Sequence, residues 1–266
     1  MNVLIFIAAL PVVLICMYVY KKDVEKEPKS LLRKLMLWGV FSIIPVVIVE
    51  FVLDNFFEIT GQEDLITLFL YCFIAIALIE ETAKWIISYK VVYKDSEFNE
   101  TYDAIVYSVF ASLGFALIEN ILYVMSNGFL TGLLRAFTSV PAHTCTGIMM
   151  GYYMGLSKVE ELNNNKSLSN RYMFYSLLIP SLIHTMYDTL AFSKASGSLA
   201  EFIIFTALLY VISLLIVKKV SNNNVKFNNS ISYNDENYKY AKKSIIIIAV
   251  VVLIFSFLIE VIKWKE

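Results

Sequence analysis

Apolar residues fall along this chain in runs of about twenty, and the short polar segments between them carry most of the charge. Runs of about 18 or more apolar residues match the ~30 Å of hydrocarbon that a membrane helix must cross. Eight can be drawn. The first covers Met1 to about Tyr20 and ends at Lys21 and Lys22. No positive segment precedes it and no small-residue cleavage site follows, so it reads as a retained span rather than a signal peptide. The second runs from about Leu35 to Leu53, with Pro45 inside it, and the third from about Leu65 to Lys90. The fourth to seventh run from about Ala104 to Met125, Phe137 to Leu156, Tyr172 to Phe192 and Leu199 to Val217. An Asn-, Ser- and Lys-rich stretch from Ser221 to about Tyr240 reads as a disordered cytoplasmic loop, and Ile245 to about Ile262 makes an eighth span. The expected fold is all-α, a polytopic integral membrane protein of about eight transmembrane helices.

Composition supports this reading. Of 266 residues, 58% are hydrophobic and 17% charged, with a mean hydropathy of +0.67. Soluble domains are nearer ~45–50% apolar and ~25% charged. A net charge of −1 without a basic stripe gives no support to a nucleic-acid partner, and none is expected. Cys16, Cys72 and Cys145 lie far apart, each inside an apolar run, and suggest neither a disulfide framework nor a paired-cysteine metal motif. Seventeen Lys and Arg fall in loops on the side of Lys21, and four (Arg135, Lys194, Lys263 and Lys265) on the other. The excess of positive charge on cytoplasmic loops then puts the N terminus outside, and eight spans put the C terminus there too.

Against this apolar background a few polar residues stand out. Glu80, Glu81 and Lys84 sit in one turn deep in the third span. A charge near the bilayer centre costs ~2.5–3.5 kcal/mol on insertion scales, so such residues should face protein or a wet cavity and mark a functional site. Lys84 is spaced to reach either carboxylate. A purely structural ion pair would use Lys84 and one glutamate and leave the other unpaired. The fourth span carries Glu119 and Asn120, with Phe115 on the face of Glu119; the plain alternative is an interhelical hydrogen-bond pair, worth ~0.6–2 kcal/mol. The only two histidines, His143 and His184, lie in the fifth and sixth spans. Asp188 follows His184 by one turn and could fix its ring tautomer, as carboxylates do for metal-bound imidazoles. Pro141 and Pro180 precede the two histidines; each removes a backbone hydrogen bond and can bend its helix.

At ~1.5 Å per residue, Glu119, His143, His184 and Asp188 all fall in the outer half of the bilayer. Glu80 comes out deeper, ~22 Å from the outer face if its span starts at Leu65. A tilted or later-starting third span would bring it level.

Four motifs thus stand in order on four spans: Glu80-Glu81-x-x-Lys84, Phe115-x-x-x-Glu119-Asn120, His143-x-x-x-Gly147 and His184-x-x-x-Asp188. Together they resemble the PrsW family of intramembrane proteases and, more distantly, the type II CAAX prenyl endopeptidases. The resemblance covers about Leu65 to Phe192. It divides the chain into residues 1–64 (two spans and a basic cytoplasmic loop), a four-span catalytic bundle at 65–192, and residues 193–266 with two further spans and the Asn-rich loop. It implies a metal-dependent endopeptidase of the bacterial plasma membrane. Such an enzyme makes the first, site-1 cut in a single-span, membrane-anchored anti-sigma factor on its extracytoplasmic side. A second intramembrane protease then acts on the same substrate to release the sigma factor for a stress response.

Imidazole and carboxylate donors favour zinc, with three protein ligands and an open position for water. His143, His184 and Glu119 are the expected metal ligands, with one of Glu80 and Glu81 as the alternative third. The remaining glutamate, Glu81 by preference, is the expected base. Lys84 would keep a carboxylate ionised, Asn120 would donate to the oxyanion, and Asp188 would orient His184. In the prenyl endopeptidases the corresponding residues can act on water with little or no metal. A CAAX-type endopeptidase with another membrane substrate shares this chemistry. An ion-coupled transporter would also place carboxylates and histidines in spans, but it commonly shows repeated halves, and no internal repeat is evident.

Overall fold

The computed structural model describes residues 2–57, 64–193 and 198–227. The eighth predicted span and most of the Asn-rich loop lie outside the described residues. Nine α-helices are present among the described residues: α1 (Asn2–Lys22), α2 (Lys29–Phe41), α3 (Ile43–Phe57), α4 (Leu65–Tyr71), α5 (Leu78–Val92), α6 (Thr101–Phe137), α7 (Ser139–Leu162), α8 (Lys166–Phe192) and α9 (Ser198–Asn222). There is no strand among them, only an isolated antiparallel bridge between Glu100 and Lys226. Among the described residues, five helical stretches are long and apolar enough to cross a membrane: Ile5–Lys22, Lys29–Phe57, Leu65–Val92, Thr101–Leu162 and Leu199–Asn222. The fourth of these holds both α6 and α7. The protein is an all-α, multi-pass membrane protein. Each of the first seven predicted spans corresponds to helix, and the differences lie in how those helices break.

The second predicted span is two helices, α2 and α3, separated at Ser42. Pro45 has no N–H, so the carbonyl of Phe41 loses the donor that would continue the helix. The third starts at Leu65 as predicted. Asp64 caps it, its carboxylate accepting from the Ile66 and Thr67 amides at 3.0 and 3.1 Å. Between α4 and α5 the chain forms a six-residue π-helix, Cys72–Ala77. The wider i→i+5 turn holds more residues than an α-turn, so the face that follows is rotated by about one residue, ~100°. Cys72, Ala75 and Ala77 are fully buried there, and the segment packs on α8.

The fourth predicted span continues past Met125 and then turns back. Gly128 has φ 82° and ψ −170° in the middle of α6, a conformation that a residue with a Cβ rarely adopts. Beyond it, Gly132 lies against Val124 and Ile7, and Arg135 lies against Tyr123. Residues 129–137 therefore run back along the end of α6. Arg135, counted above among loop charges on the exported side, is a half-buried interior residue.

Pro141 bends nothing. It is the third residue of α7, in the first turn, where the missing N–H had no partner to lose. The start of the predicted disordered loop is ordered: α9 extends to Asn222, and Asn224 accepts from Thr101 Oγ1 (3.1 Å) and the Tyr102 amide (3.0 Å).

The core is built on α6 and α7. One buried cluster runs from Val12 on α1 to Val220 on α9. α7 approaches α6 along Gly147, Gly151 and Gly155, the small-residue spacing that lets membrane helices pack backbone to backbone. A Cβ at Gly151 would lie 2.3 Å from the Ala104 carbonyl oxygen. An aromatic ladder, Trp85–Tyr89–Tyr93, stacks at 5.1 and 4.8 Å along α5, and Trp85 Nε1 donates to Ser176 on α8 at 2.8 Å. These contacts set α5 and α8 side by side.

The close α6–α7 contact makes a prediction. Gly151→Val should lower stability by ~1–3 kcal/mol or more through overpacking against backbone, read as a lower thermal unfolding midpoint in detergent; Gly128→Ala, which meets no atom within 4 Å, should be destabilising through φ alone and by less.

Candidate active site

Glu80 and Glu81 lie in the first turn of α5, just past the π-helix, and both point into the bundle. Lys84, one turn on, is fully buried. Its ammonium donates to Glu80 Oε2 at 3.0 Å, to Glu81 Oε1 at 2.9 Å and to His143 Nδ1 at 3.0 Å. It also lies 4.4 Å from the centre of the Phe115 ring. An ammonium has no lone pair to offer. His143 Nδ1 is therefore the acceptor, and Nε2–H donates to Glu119 Oε2 at 2.8 Å. His184 Nδ1 donates to Glu81 Oε1 at 2.9 Å, and its Nε2 faces Asp188 Oδ2 at 3.3 Å. The two imidazoles stand edge to face with centres 5.2 Å apart.

The predicted residues are thus brought together, including Glu80. The span starts where predicted, so a late start does not explain it. The six-residue π-helix re-aims the face that follows it, and Glu80 Oε2 lies 3.9 Å from His184 Nδ1. Two predicted residues play different parts in the geometry from Glu80 and Glu81. Glu119 lies behind His143, held by Arg135 at 2.8 Å. Asn120 is fully buried with both ends of its amide engaged: Arg135 Nε donates to its Oδ1 at 3.1 Å, and its Nδ2 donates to the Ala8 carbonyl at 3.4 Å.

Two further groups belong to this region. Arg135 was masked by its position near a span end, and the signal that finds it is a lone arginine in an apolar stretch after a glycine. Glu50 on α3 interacts electrostatically with Glu80, Glu119 and Lys84. It is a carboxylate inside a predicted span, and the rule that singled out Glu80 applies to it equally.

The donor set fits a metal ion. Glu80, Glu81, His143 and His184 each offer a ligand atom, all four lie within 4.8 Å of one another, and all four residues are buried. Glu81 Oε2 and Asp188 Oδ2 are buried oxygens without a hydrogen-bond partner. Among the groups in direct contact, four carboxylates (Glu80, Glu81, Glu119, Asp188) face two permanent cations (Lys84, Arg135). The carboxylates outnumber the permanent cations in a water-poor site, an imbalance that a bound cation would relieve. Lys84 already sits among three of the donors, so ammonium and metal compete for the same atoms. A narrow cleft lined by Ser139, Thr146, Tyr187 and Leu209 opens on His143 and His184.

The model of the family described as PrsW family intramembrane metalloprotease matches residues 27–217. The chain belongs to the PrsW family. Curated relatives named Protease PrsW agree. The one from Oceanobacillus iheyensis is 33% identical over 217 residues, 81% of this chain and 94% of its own length. That from Geobacillus kaustophilus is 36% identical over 187 residues, 69% of this chain and 77% of its own. That from Clostridioides difficile is 32% identical over 228 residues, covering 84% and 93%. No solved structure matches the chain. This PrsW-family chain is a membrane protease, and its substrate is a protein in the membrane. Its buried Glu and His cluster, on α5, α7 and α8, lies inside the matched region.

Competition at Lys84 yields a second prediction. In chelated protein, Lys84→Met should lower stability by ~3–5 kcal/mol, because it leaves two buried carboxylates uncompensated. A divalent metal should restore most of the loss, and bind more tightly than to wild type, as read by thermal unfolding with and without metal.

Proposed function

We propose that this chain is a zinc-dependent endopeptidase that makes the first cut in a membrane-anchored, single-span anti-sigma factor, on the extracytoplasmic side of the bacterial plasma membrane. A second intramembrane protease would then act on the same substrate. The observation that carries the reading is the convergence of Glu80, Glu81, His143 and His184 on one buried point. The charge count in the loops supports an N terminus outside and a site in the outer half of the bilayer.

In this reading the ligands are His143, His184 and one of Glu80 and Glu81. The sequence choice of Glu119 as third ligand gives way to its alternative, because Glu119 stands behind His143 as an orienting carboxylate. Asp188 Oδ2 approaches His184 Nε2 at 3.3 Å, the side from which it would orient that ring. Bound zinc would lower the pKa of its water towards ~7 and polarise the scissile carbonyl. The glutamate that does not ligate, Glu81 for preference, accepts the proton of the attacking water. Its unpartnered Oε2 is free to do so. Lys84 keeps the pair ionised in the metal-free protein. Arg135 and Asn120 fix Glu119, so Asn120 positions the site instead of donating to the oxyanion.

The test is zinc content and cleavage of single-span partners with labelled extracytoplasmic domains, on wild type and Glu81→Gln. Zinc in both with cleavage by wild type alone, a drop of at least ~10², is the expected result and makes Glu81 the base. Zinc lost from the variant makes Glu81 the ligand and Glu80 the base. Cleavage by zinc-free protein, or ion flux without cleavage, contradicts the proposal.

A further inference from the structure

At the other end of α6, about 24 Å from Glu119 along the helix, lies a second buried acidic cluster that the protease site does not use. Asp23 follows α1, Glu27 precedes α2, and Glu100 and Asp103 open α6. They are 3%, 5%, 1% and 0% exposed. Ligand oxygens of Asp23, Glu100 and Asp103 lie within 4.8 Å of one another. Oxygens on opposite sides of a calcium ion are ~4.6–5.2 Å apart, twice the 2.3–2.6 Å bond, so one ion fits among the three.

The decisive feature is what these carboxylates lack. Neither oxygen of Asp23 has a hydrogen-bond partner, nor does Asp103 Oδ1. Buried carboxylates are normally paired or coordinate a metal. The nearby cations do not fill the role. Lys26 donates to the backbone carbonyls of Tyr20 (2.9 Å), Lys21 (3.2 Å) and Asp23, as a cap on α1. Lys226 is largely exposed and divides itself between Glu25 at 2.6 Å and Glu100 at 3.1 Å. Asp103 Oδ2 is taken by the amides of Asn99 and Glu100 at 3.0 and 2.7 Å. Tyr107 donates to Glu27, and Asn224 to Glu100. The Asp23 carboxylate and Asp103 Oδ1 are therefore left without a partner beside Glu100, and the one ammonium among the described residues that pairs with a carboxylate of the trio, Lys226, reaches only Glu100 of the three. Burial pushes the Asp23 carboxyl up to about 6.

We propose that Asp23, Glu100 and Asp103 form a binding site for one hard divalent cation, Ca2+ or Mg2+, at the end of the bundle opposite the protease site. The donors are all oxygen, which selects such ions over zinc. The ion would join the end of α1 to the start of α6. Through the contacts of Asn224 and Lys226 it would also hold the segment after α9. Sequence gave no hint, because the ligands are 77 and 80 positions from Asp23 and form no spaced motif.

The test uses the full chain, purified in detergent and stripped with chelator. Ca2+ alone and Mg2+ alone are titrated at pH 7.5, with binding read by calorimetry and thermal unfolding. Wild type should bind one ion at this site and unfold at a higher temperature. Asp23→Asn and Asp103→Asn should each lose that binding and that shift. Glu81→Gln, which alters only the protease site, should keep both. Without any ion Asp23→Asn should unfold no lower than wild type, since it deletes an unpaired charge; a binding loss in that variant is then not a folding failure. A shift with Ca2+ alone names calcium, and one with Mg2+ alone names magnesium. No binding by wild type, or binding retained in both Asn variants, overturns the proposal. So does a midpoint that neither ion moves and that only acidification raises, which assigns the cluster to protons.

Discussion

Charge inside a membrane protein must be cancelled by the protein itself, and the architecture around α5 follows from that constraint. Glu80 and Glu81 bring two negative charges into a helix that otherwise crosses apolar surroundings. Lys84 answers them from one turn away and is itself fully buried. Neither group survives there alone: an unpaired buried charge is worth several kcal/mol against folding. The helices that meet at this point each add a partner of their own. His143 comes from α7, His184 and Asp188 from α8, and Glu119 from α6 with Arg135 returning along it. Backbone choices serve the same end. The π-helix turns the glutamates inward, and the glycine stripe of α7 lets α6 and α7 close upon one another.

The two imidazoles are held from other helices, His143 by Lys84 and Glu119 and His184 by Glu81. Glu119 is clamped by Arg135 and aims His143. Glu81 Oε2, by contrast, has no partner. Lys84 gives the metal-free state a way to persist, because its ammonium lies on the atoms that would bind metal. A metal ion bound there would exchange one cation for another instead of exposing two carboxylates.

Much of this was legible in the sequence because charge is conspicuous against an apolar run. Glu80, Glu81, Lys84, Glu119, His143, His184 and Asp188 all stood out, and the structure gathers them. What was not legible depended on tertiary contacts. Arg135 looked like a loop charge until the turn at Gly128 sent it back to Glu119. The π-helix has no composition cue, so the turn that re-aims Glu80 is not readable from the sequence. Asn224 sat in a stretch whose composition reads as disorder, yet its carbonyl accepts from the first amides of α6. Glu50 needed only the rule already applied to Glu80. Pro141 was weighed as a kink because its place in the first turn of α7 cannot be known until the helix start is seen.

The most direct test of the central claim, that the buried imidazoles and glutamates hold a metal ion, is X-ray absorption at the zinc edge on the purified chain. The account predicts about one zinc per chain, with a first shell of nitrogen and oxygen only at ~2.0–2.2 Å and the outer scattering of two imidazoles. A sulfur shell at ~2.3 Å, a shell without imidazole, or protein that cleaves its substrate while holding no metal would contradict it.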